Sequence, residues 1–144
     1  MDTAEAERLV ALFQRGWDHP GAHAWDELLD PDVELVQPMV PVTRGIDAWD
    51  REFARVQALL PDIAGTVHDW AVRGDTLFIH LTLACTVAGK PVSWSLVDKL
   101  DVRAGRVVRR VAHFDSAPLA LAVLTSPRAW PAWWRAGRPG LPRR

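Results

Sequence analysis

The sequence contains no tyrosine, a single cysteine and no acidic residue after Asp115. With Cys85 alone, the chain cannot form an intramolecular disulfide or a cysteine-rich metal site, so we expect it to work in the reducing cytoplasm. No apolar run approaches the roughly 18 residues that span a membrane, and the acidic N-terminus MDTAEAERLV does not look like an export signal. These absences predict a cytoplasmic protein without a membrane anchor.

Charge and motif content point away from further classes of partner. The formal net charge is −1 over 144 residues, which gives no overall attraction to nucleic acid or to membranes. The sequence contains no glycine-rich phosphate loop. We therefore expect no metal, no cofactor, no nucleic-acid partner and no membrane partner.

The first part of the chain has helical periodicity. Asp2 and Glu5 form a D-x-x-E capping signal ahead of apolar residues at helical spacing, which predicts a first helix up to the sequence DHPG. The pattern further predicts a short helix over residues 22–29, a strand over residues 33–37 and an amphipathic helix over residues 46–60.

From residue 63 onwards the apolar period changes to two. Three turn signals, RGD at 73–75, AGK at 88–90 and RAG at 103–105, separate four strands of about ten residues. Strands joined by tight turns form an antiparallel meander, and the preceding helices must cover its apolar face. We therefore predict the α+β class.

The chain divides into a body and a tail. Residues 1–125 are predicted to form one domain, and residues 126–144 an irregular tail rich in tryptophan, arginine and proline. The tail carries five arginines and no acid. It packs tryptophans on the body or on a second subunit, or else it forms a lid over a pocket mouth or contacts an anionic surface.

Asp98 stands out in the predicted strand SWSLVDKLDV. Strand alternation places it on one face with Trp94, Leu96 and Leu100, which is an apolar face. An ionised carboxylate buried without partners is costly. Asp98 is therefore either satisfied by a neighbour such as Arg110 or Trp94, or placed in a cavity where a raised pKa suits proton transfer.

The order of elements and three stretches resemble the nuclear transport factor 2-like superfamily, which includes ketosteroid isomerases and SnoaL-like polyketide cyclases. The stretches are LLDPDVELVQP, RGIDAW and GRVVRRVAHFDSAPLALAVL, and the resemblance covers roughly residues 4–124. It implies a cone-shaped α+β barrel, in which a curved antiparallel sheet wraps around the N-terminal helices.

The resemblance also singles out Asp98. It matches the acid that stays protonated in ketosteroid isomerases and donates a hydrogen bond to the substrate oxyanion. Gln37 stands where those enzymes carry the proton-shuttling acid, and their first-helix tyrosine has no counterpart, with Phe13 or Trp17 near its place. Because two of the three groups are absent, steroid isomerisation by that mechanism is disfavoured.

The end of the last predicted strand carries a second candidate. Asp115 is the nearest match to the acid near the end of the last strand that SnoaL-like cyclases use as general acid/base. Alternation places Asp115 and His113 on the face opposite Arg110 and Phe114, and by the family pattern the latter face lines the cavity. Asp115 is therefore predicted at the rim.

These observations lead to a functional hypothesis. We expect a cofactor-independent general acid/base enzyme that cyclises or isomerises a hydrophobic, polyketide- or polycycle-like molecule in an apolar pocket. The alternatives are an epoxide-opening hydrolase or cyclase, a dehydratase, or a non-catalytic domain that binds a ligand or a partner. The predicted catalytic residues are Asp98, Asp115 and His113, and the predicted substrate-binding residues are Gln37, Trp17, Phe13, Trp94, Leu96, Phe114 and Arg110.

A homodimer is the expected assembly. Cone domains of the resembled type commonly pair through the outer face of the sheet, and here the last strand carries the apolar residues Val107 and Val111. Light scattering should give the mass of a dimer. A monomer at high protein concentration would contradict this expectation.

Overall fold

The computed structural model describes residues 1–38 and 40–135. Helices and strands follow one another in the order helix, two strands, helix, four strands and two short helices. Their bounds are α1 Thr3–Asp18, β1 Leu29–Gln37, β2 Val40–Arg44, α2 Ile46–Leu59, β3 Ala64–Arg73, β4 Thr76–Val87, β5 Lys90–Arg103, β6 Arg106–Phe114, α3 Ala117–Leu124 and α4 Trp130–Arg135, with a 3-10 turn at Pro127–Ala129.

The six strands form one curved, open sheet in the order β2-β1-β6-β5-β4-β3. Strands β3 to β6 pair antiparallel with their neighbours in sequence, which confirms the predicted meander. Strand β1 returns beside β6 and pairs with it in parallel. The helices cover the apolar face of this sheet, so the α+β class predicted from the sequence is confirmed.

Tight turns with left-handed backbone connect the long strands. Ala88 and Gly89 have φ angles of 50° and 81°, and Ala104 and Gly105 have φ angles of 51° and 73°. Two successive positive φ angles are the feature of the two-residue hairpin turn whose twist matches the flanking strands. These turns fix the register that brings alternate side chains of β5 and β6 to the inner face.

Helix α1 is capped and anchored as its sequence predicts. The side chain of Asp2 accepts a hydrogen bond from the backbone N–H of Glu5 at 2.8 Å. On the inner side, the amide of Gln14 accepts from Val67 N–H and donates to the carbonyl of Gly65, and these bonds tie α1 to β3. Among residues 1–38 and 40–135, no helix combines the length and the apolar character needed to cross a membrane.

The predicted helix over residues 22–29 is wrong. This segment forms hydrogen-bonded turns, and β1 already begins at Leu29. His23 has a φ angle of 65°, which is incompatible with a right-handed helix, and the carbonyl of Trp25 accepts from both Leu28 N–H and Leu29 N–H. The eight residues instead reverse the chain so that Trp25 packs into the core.

Strand β2 is not among the strands predicted from the sequence, because a proline normally interrupts a strand. It contains Pro41 and pairs only with β1, at the edge of the sheet. An edge strand tolerates proline because one side of its backbone has no ladder hydrogen bonds to lose.

The tail predicted over residues 126–144 begins with regular structure. Residues 127–129 form a 3-10 turn and residues 130–135 form α4. Trp130 donates its indole N–H to the carbonyl of Val123 at 3.0 Å, which joins α4 to α3. Residues 136–144 lie outside the described residues, and the boundary at residue 125 stays a prediction.

Gly65 provides a test of how tightly α1 packs on the sheet. A Cβ atom at this position would lie 2.7 Å from the indole ring of Trp17. Gly65→Ala should therefore lower the free energy of unfolding by about 1–3 kcal/mol, because overpacking forces the buried ring to move. Chemical denaturation measures the change.

Gly21→Ala is the matched control, since a Cβ there meets nothing within 4 Å. Its stability should stay within about 0.5 kcal/mol of the unchanged protein. Equal stability of the two variants would contradict close packing of Trp17 against β3.

Candidate functional site

A cavity of about 290 Å³ lies between the inner face of the sheet and the helices. On β5, side chains alternate between buried and exposed positions along the strand, as the sequence predicts. The same alternation on β6 turns Arg110 and Phe114 inward and His113 outward. The sheet wall of the cavity is formed by Leu83, Trp94, Leu96, Arg110 and Phe114.

The helices supply the opposite wall. The apolar stripe of α2 faces the cavity, and α3 and α4 close the side beyond the end of β6. Most of these side chains are apolar, and several are aromatic. The principal helix residues are Trp17, Trp49, Phe53, Val56, Val123 and Trp133.

A buried ion pair lies at the polar end of this cavity. Asp98 is 0% exposed, and Arg110 Nε donates to Asp98 Oδ2 at 2.8 Å. Arg110 Nη1 donates to Gln37 Oε1 at 3.1 Å, and the guanidinium carbon lies 5.7 Å from the centre of the Trp49 ring. Asp98 therefore has the arginine partner that the sequence had suggested as one of two possibilities.

Burial and ion pairing shift the pKa of Asp98 in opposite directions. Burial raises the pKa of the Asp98 carboxyl above its ordinary value, while the Arg110 guanidinium and, last, His113 oppose the rise. Asp98 Oδ1 has no hydrogen-bond donor among the described residues. The carboxylate is thus held by one strong bond while its other oxygen stays unpaired.

The cavity reaches Arg110 and Gln37, but Asp98 is not among its lining residues. Arg110 is 7% exposed and presents the one charged side chain of the described lining. A molecule in the cavity would therefore contact the guanidinium, and Asp98 would act on it through Arg110 or after a movement of this side chain.

The two other predicted catalytic residues lie away from the cavity lining. Asp115 is exposed, and its Oδ1 accepts from the backbone N–H of Ala117 at 2.8 Å, where it helps to start α3. His113 is exposed and stands opposite Val97 on the outer face of the sheet. A catalytic role for either residue stays a prediction.

Most of the predicted substrate-binding residues come together. Trp17, Gln37, Trp94, Leu96, Arg110 and Phe114 all line the cavity. Phe13 does not: it packs in the core and lines a separate space of about 20 Å³. Their roles in binding stay predictions.

Sequence reasoning missed the contribution of α3, and it offered a lid over a pocket mouth only as one alternative for the segment that contains α4. Leu119 and Val123 of α3 and Trp133 of α4 line the cavity. The stretch APLALAVL has no polar side chain, so its sequence gives no periodicity that would reveal which face turns inward. The amphipathic stripe of α2, by contrast, carried a readable signal.

Two histidines form a separate cluster on the outer side of β3 and β4. The rings of His68 and His80 lie 5.1 Å apart, His68 Nε2 is 2.7 Å from Thr82 Oγ1, and His80 Nδ1 is 3.3 Å from Asp69 Oδ2. The pairing register of β3 shifts between Val67 and Asp69. Because this bulge interrupts the alternation of β3 at His68, alternation alone does not place the His68 side chain.

One group of potential metal ligands occurs among the described residues. His23, Asp26 and Asp50 bring ligand atoms within 4.8 Å of one another at the surface. His23 Nδ1 already contacts a carboxylate oxygen of each acid, at 3.0 and 3.3 Å. None of the three lines the cavity.

Structural neighbours share this architecture at low sequence identity. TerC, crystallised with polyporic acid, is 17% identical with a TM-score of 0.76, over 83% of this chain and 98% of TerC. IdmH from Streptomyces antibioticus, a candidate polyketide cyclase, is 20% identical with a TM-score of 0.70, over 82% of this chain and 97% of IdmH. A protein of ketosteroid isomerase-like fold from Catenulispora acidiphila is 18% identical with a TM-score of 0.71, over 79% and 91% of the two chains.

Structural similarity at this level of sequence identity establishes the fold alone. The family is established by the match of the sequence to a family model. No curated protein matches the chain. The model of the SnoaL-like domain matches residues 6–110, which include β1, α2 and the whole of β5. The chain belongs to the SnoaL-like domain family.

Proposed function

We propose that this chain is a cofactor-independent enzyme that cyclises or isomerises a hydrophobic, polyketide- or polycycle-like molecule by proton transfer. The observation that carries the proposal is the cavity of about 290 Å³ with aromatic walls and a polar end at Gln37 and Arg110. A mostly apolar pocket with a few convergent polar groups is typical of small-molecule sites.

The comparisons support the same class of ligand. The family is that of SnoaL-like domains, and IdmH is a candidate polyketide cyclase. TerC was crystallised with polyporic acid. Proteins of this fold thus include a candidate polyketide cyclase and a complex with polyporic acid.

The charge of the polar end favours an uncharged ligand. Asp98 and Arg110 form a pair without net charge, so a ligand carboxylate would bring an excess negative charge into an apolar cavity. A neutral ligand that binds through a carbonyl oxygen would bring no excess charge into the cavity. The remaining guanidinium N–H groups of Arg110 could then stabilise negative charge that develops on this oxygen during proton transfer.

We assign the transfer of the proton to Asp98. Arg110 and Gln37 bind the substrate oxygen. Asp98 is the one fully buried acid among the described residues. As the ionised partner of Arg110 it would accept the substrate proton after a movement of the Arg110 side chain, and the raised pKa that burial gives Asp98 makes it a stronger base than an exposed aspartate. Asp115 and His113 lie outside the lining and have no step in this proposal.

A second candidate function is ligand binding without catalysis. The observation that favours it is that Arg110 lines the cavity and Asp98 does not. In that case the ion pair only orients the guanidinium toward a ligand oxygen, and no proton is transferred.

Hydrogen–deuterium exchange of a simple ketone separates these functions. The protein should accelerate exchange of the methyl protons of 2-acetylnaphthalene in D₂O, because a general base removes a proton next to the carbonyl. Asp98→Asn should slow this exchange by roughly 10²- to 10⁴-fold while the Kd changes little. NMR follows the exchange and isothermal titration calorimetry gives the Kd.

Asp101→Asn is the matched control, because Asp101 lies on the same strand, is partly exposed and does not line the cavity. This variant should accelerate hydrogen–deuterium exchange of the ketone as much as the unchanged protein does. Equal exchange rates for the Asp98 and Asp101 variants would show that Asp98 takes no part in catalysis. Binding of the ketone without any acceleration would establish the non-catalytic function.

The ion pair makes a second, independent prediction about stability. Asp98→Leu should lower the free energy of unfolding by roughly 3–5 kcal/mol, because it leaves the Arg110 charge buried without a partner. The double variant Asp98→Leu/Arg110→Met should recover most of this loss, since neither charge remains. Chemical denaturation measures both, and a single variant as stable as the unchanged protein would mean that Arg110 does not depend on Asp98.

A further inference from the structure

The helices after β6 expose an unusual amount of apolar surface. Leu121 and Leu124 of α3 are 63% and 61% exposed, and Trp130 and Trp134 of α4 are also exposed. The indole of Trp130 donates to the carbonyl of Val123, so the two helices form one unit. We call this unit the C-terminal surface and define it by the exposed side chains Leu121, Leu124, Arg128, Trp130, Trp134 and Arg135.

Helix α3 has no polar face. Its sequence APLALAVL buries Leu119 and Val123, and it turns Leu121 and Leu124 to the outside, one helical turn apart. A helix that is apolar all round is normally buried all round. The exposed side of α3 therefore calls for a partner that covers it.

Charge indicates which partner fits. Arg128 and Arg135 accompany the apolar side chains, and the sequence has five arginines and no acid after Asp115. A second copy that docks on the same surface would bring like charges together. The proposed dimer uses the outer face of the sheet instead. An anionic lipid interface offers both an apolar layer for leucine and tryptophan and negative charge for arginine.

We propose that the C-terminal surface binds peripherally to membranes that contain anionic lipid. Leu121, Leu124 and the two tryptophans enter the interface, and Arg128 and Arg135 pair with lipid headgroups. This partner differs from the expectation drawn from net charge, because a charge averaged over the chain conceals a local cluster of arginines.

The surface is continuous with the wall of the cavity. Leu124 and Trp133 line the cavity from the same two helices. A hydrophobic molecule dissolved in the membrane would therefore meet the cavity at the docked side of the protein. This last step rests on the proposed function, whereas the binding of lipid does not.

Co-sedimentation of the whole chain with lipid vesicles tests the proposal. The protein should bind vesicles of phosphatidylglycerol and phosphatidylcholine more tightly than vesicles of phosphatidylcholine alone, and salt should weaken the binding. Arg128→Gln and Arg135→Gln should each reduce the partition coefficient by about fivefold, as expected for a basic residue near an anionic surface. Leu121→Ser should weaken binding to the mixed vesicles by roughly tenfold.

Two variants away from the surface serve as controls. Arg103→Gln removes an exposed arginine at the last residue of β5. Val97→Ser removes an exposed apolar residue on the outer face of the sheet. Both should bind vesicles like the unchanged protein. All variants should retain exchange of 2-acetylnaphthalene in the absence of vesicles, since none of the changed residues lines the cavity.

Several results would overturn the proposal. These are no binding to the mixed vesicles, equal binding to both kinds of vesicle, or equal losses in the surface and control variants. A change of oligomeric state in Leu121→Ser would assign the surface to a second copy of the chain. If neither the unchanged protein nor any variant accelerates exchange of 2-acetylnaphthalene while vesicle binding is intact, only the proposed function is contradicted.

Discussion

The ion pair between Asp98 and Arg110 is the interaction on which the interior of this protein depends. It joins β5 to β6, and through Gln37 it reaches β1, so three neighbouring strands meet in one polar contact. Removing two charges from water is costly, and the pair is sustained because each charge satisfies the other. Its position at the end of an apolar cavity makes it a structural constraint, and its Arg110 side chain is the one charged group of the cavity lining among residues 1–38 and 40–135.

The pair also changes the chemistry that a buried aspartate would have alone. Burial raises the pKa of the Asp98 carboxyl, whereas the guanidinium of Arg110 opposes the rise. Arg110 rather than Asp98 faces the cavity, and the proposed function therefore gives Arg110 the electrostatic stabilisation of a substrate oxygen. The aromatic side chains of α2 and β5 make the cavity wall apolar, and charges interact more strongly in apolar surroundings than in water.

The elements that line the cavity depend on contacts that are remote from it. Gln14 holds α1 against β3, and Gly65 leaves the space that Trp17 fills. Helices α3 and α4 close the remaining side, and α3 faces the cavity on one side and the exterior on the other. The outer surface and the inner site are therefore built from the same short helices.

The sequence by itself determined the strands of the meander, the first and third predicted helices and the inward face of β5, because period, caps and turns are local properties. It could not determine β2 or the turns of residues 22–29, where an edge position and the burial of Trp25 override local propensity. Only the tertiary structure decided the partner of Asp98. The strand register places Asp98 opposite Ala112 and Arg110 opposite Leu100, so the ion pair runs diagonally between strands that the sequence cannot align.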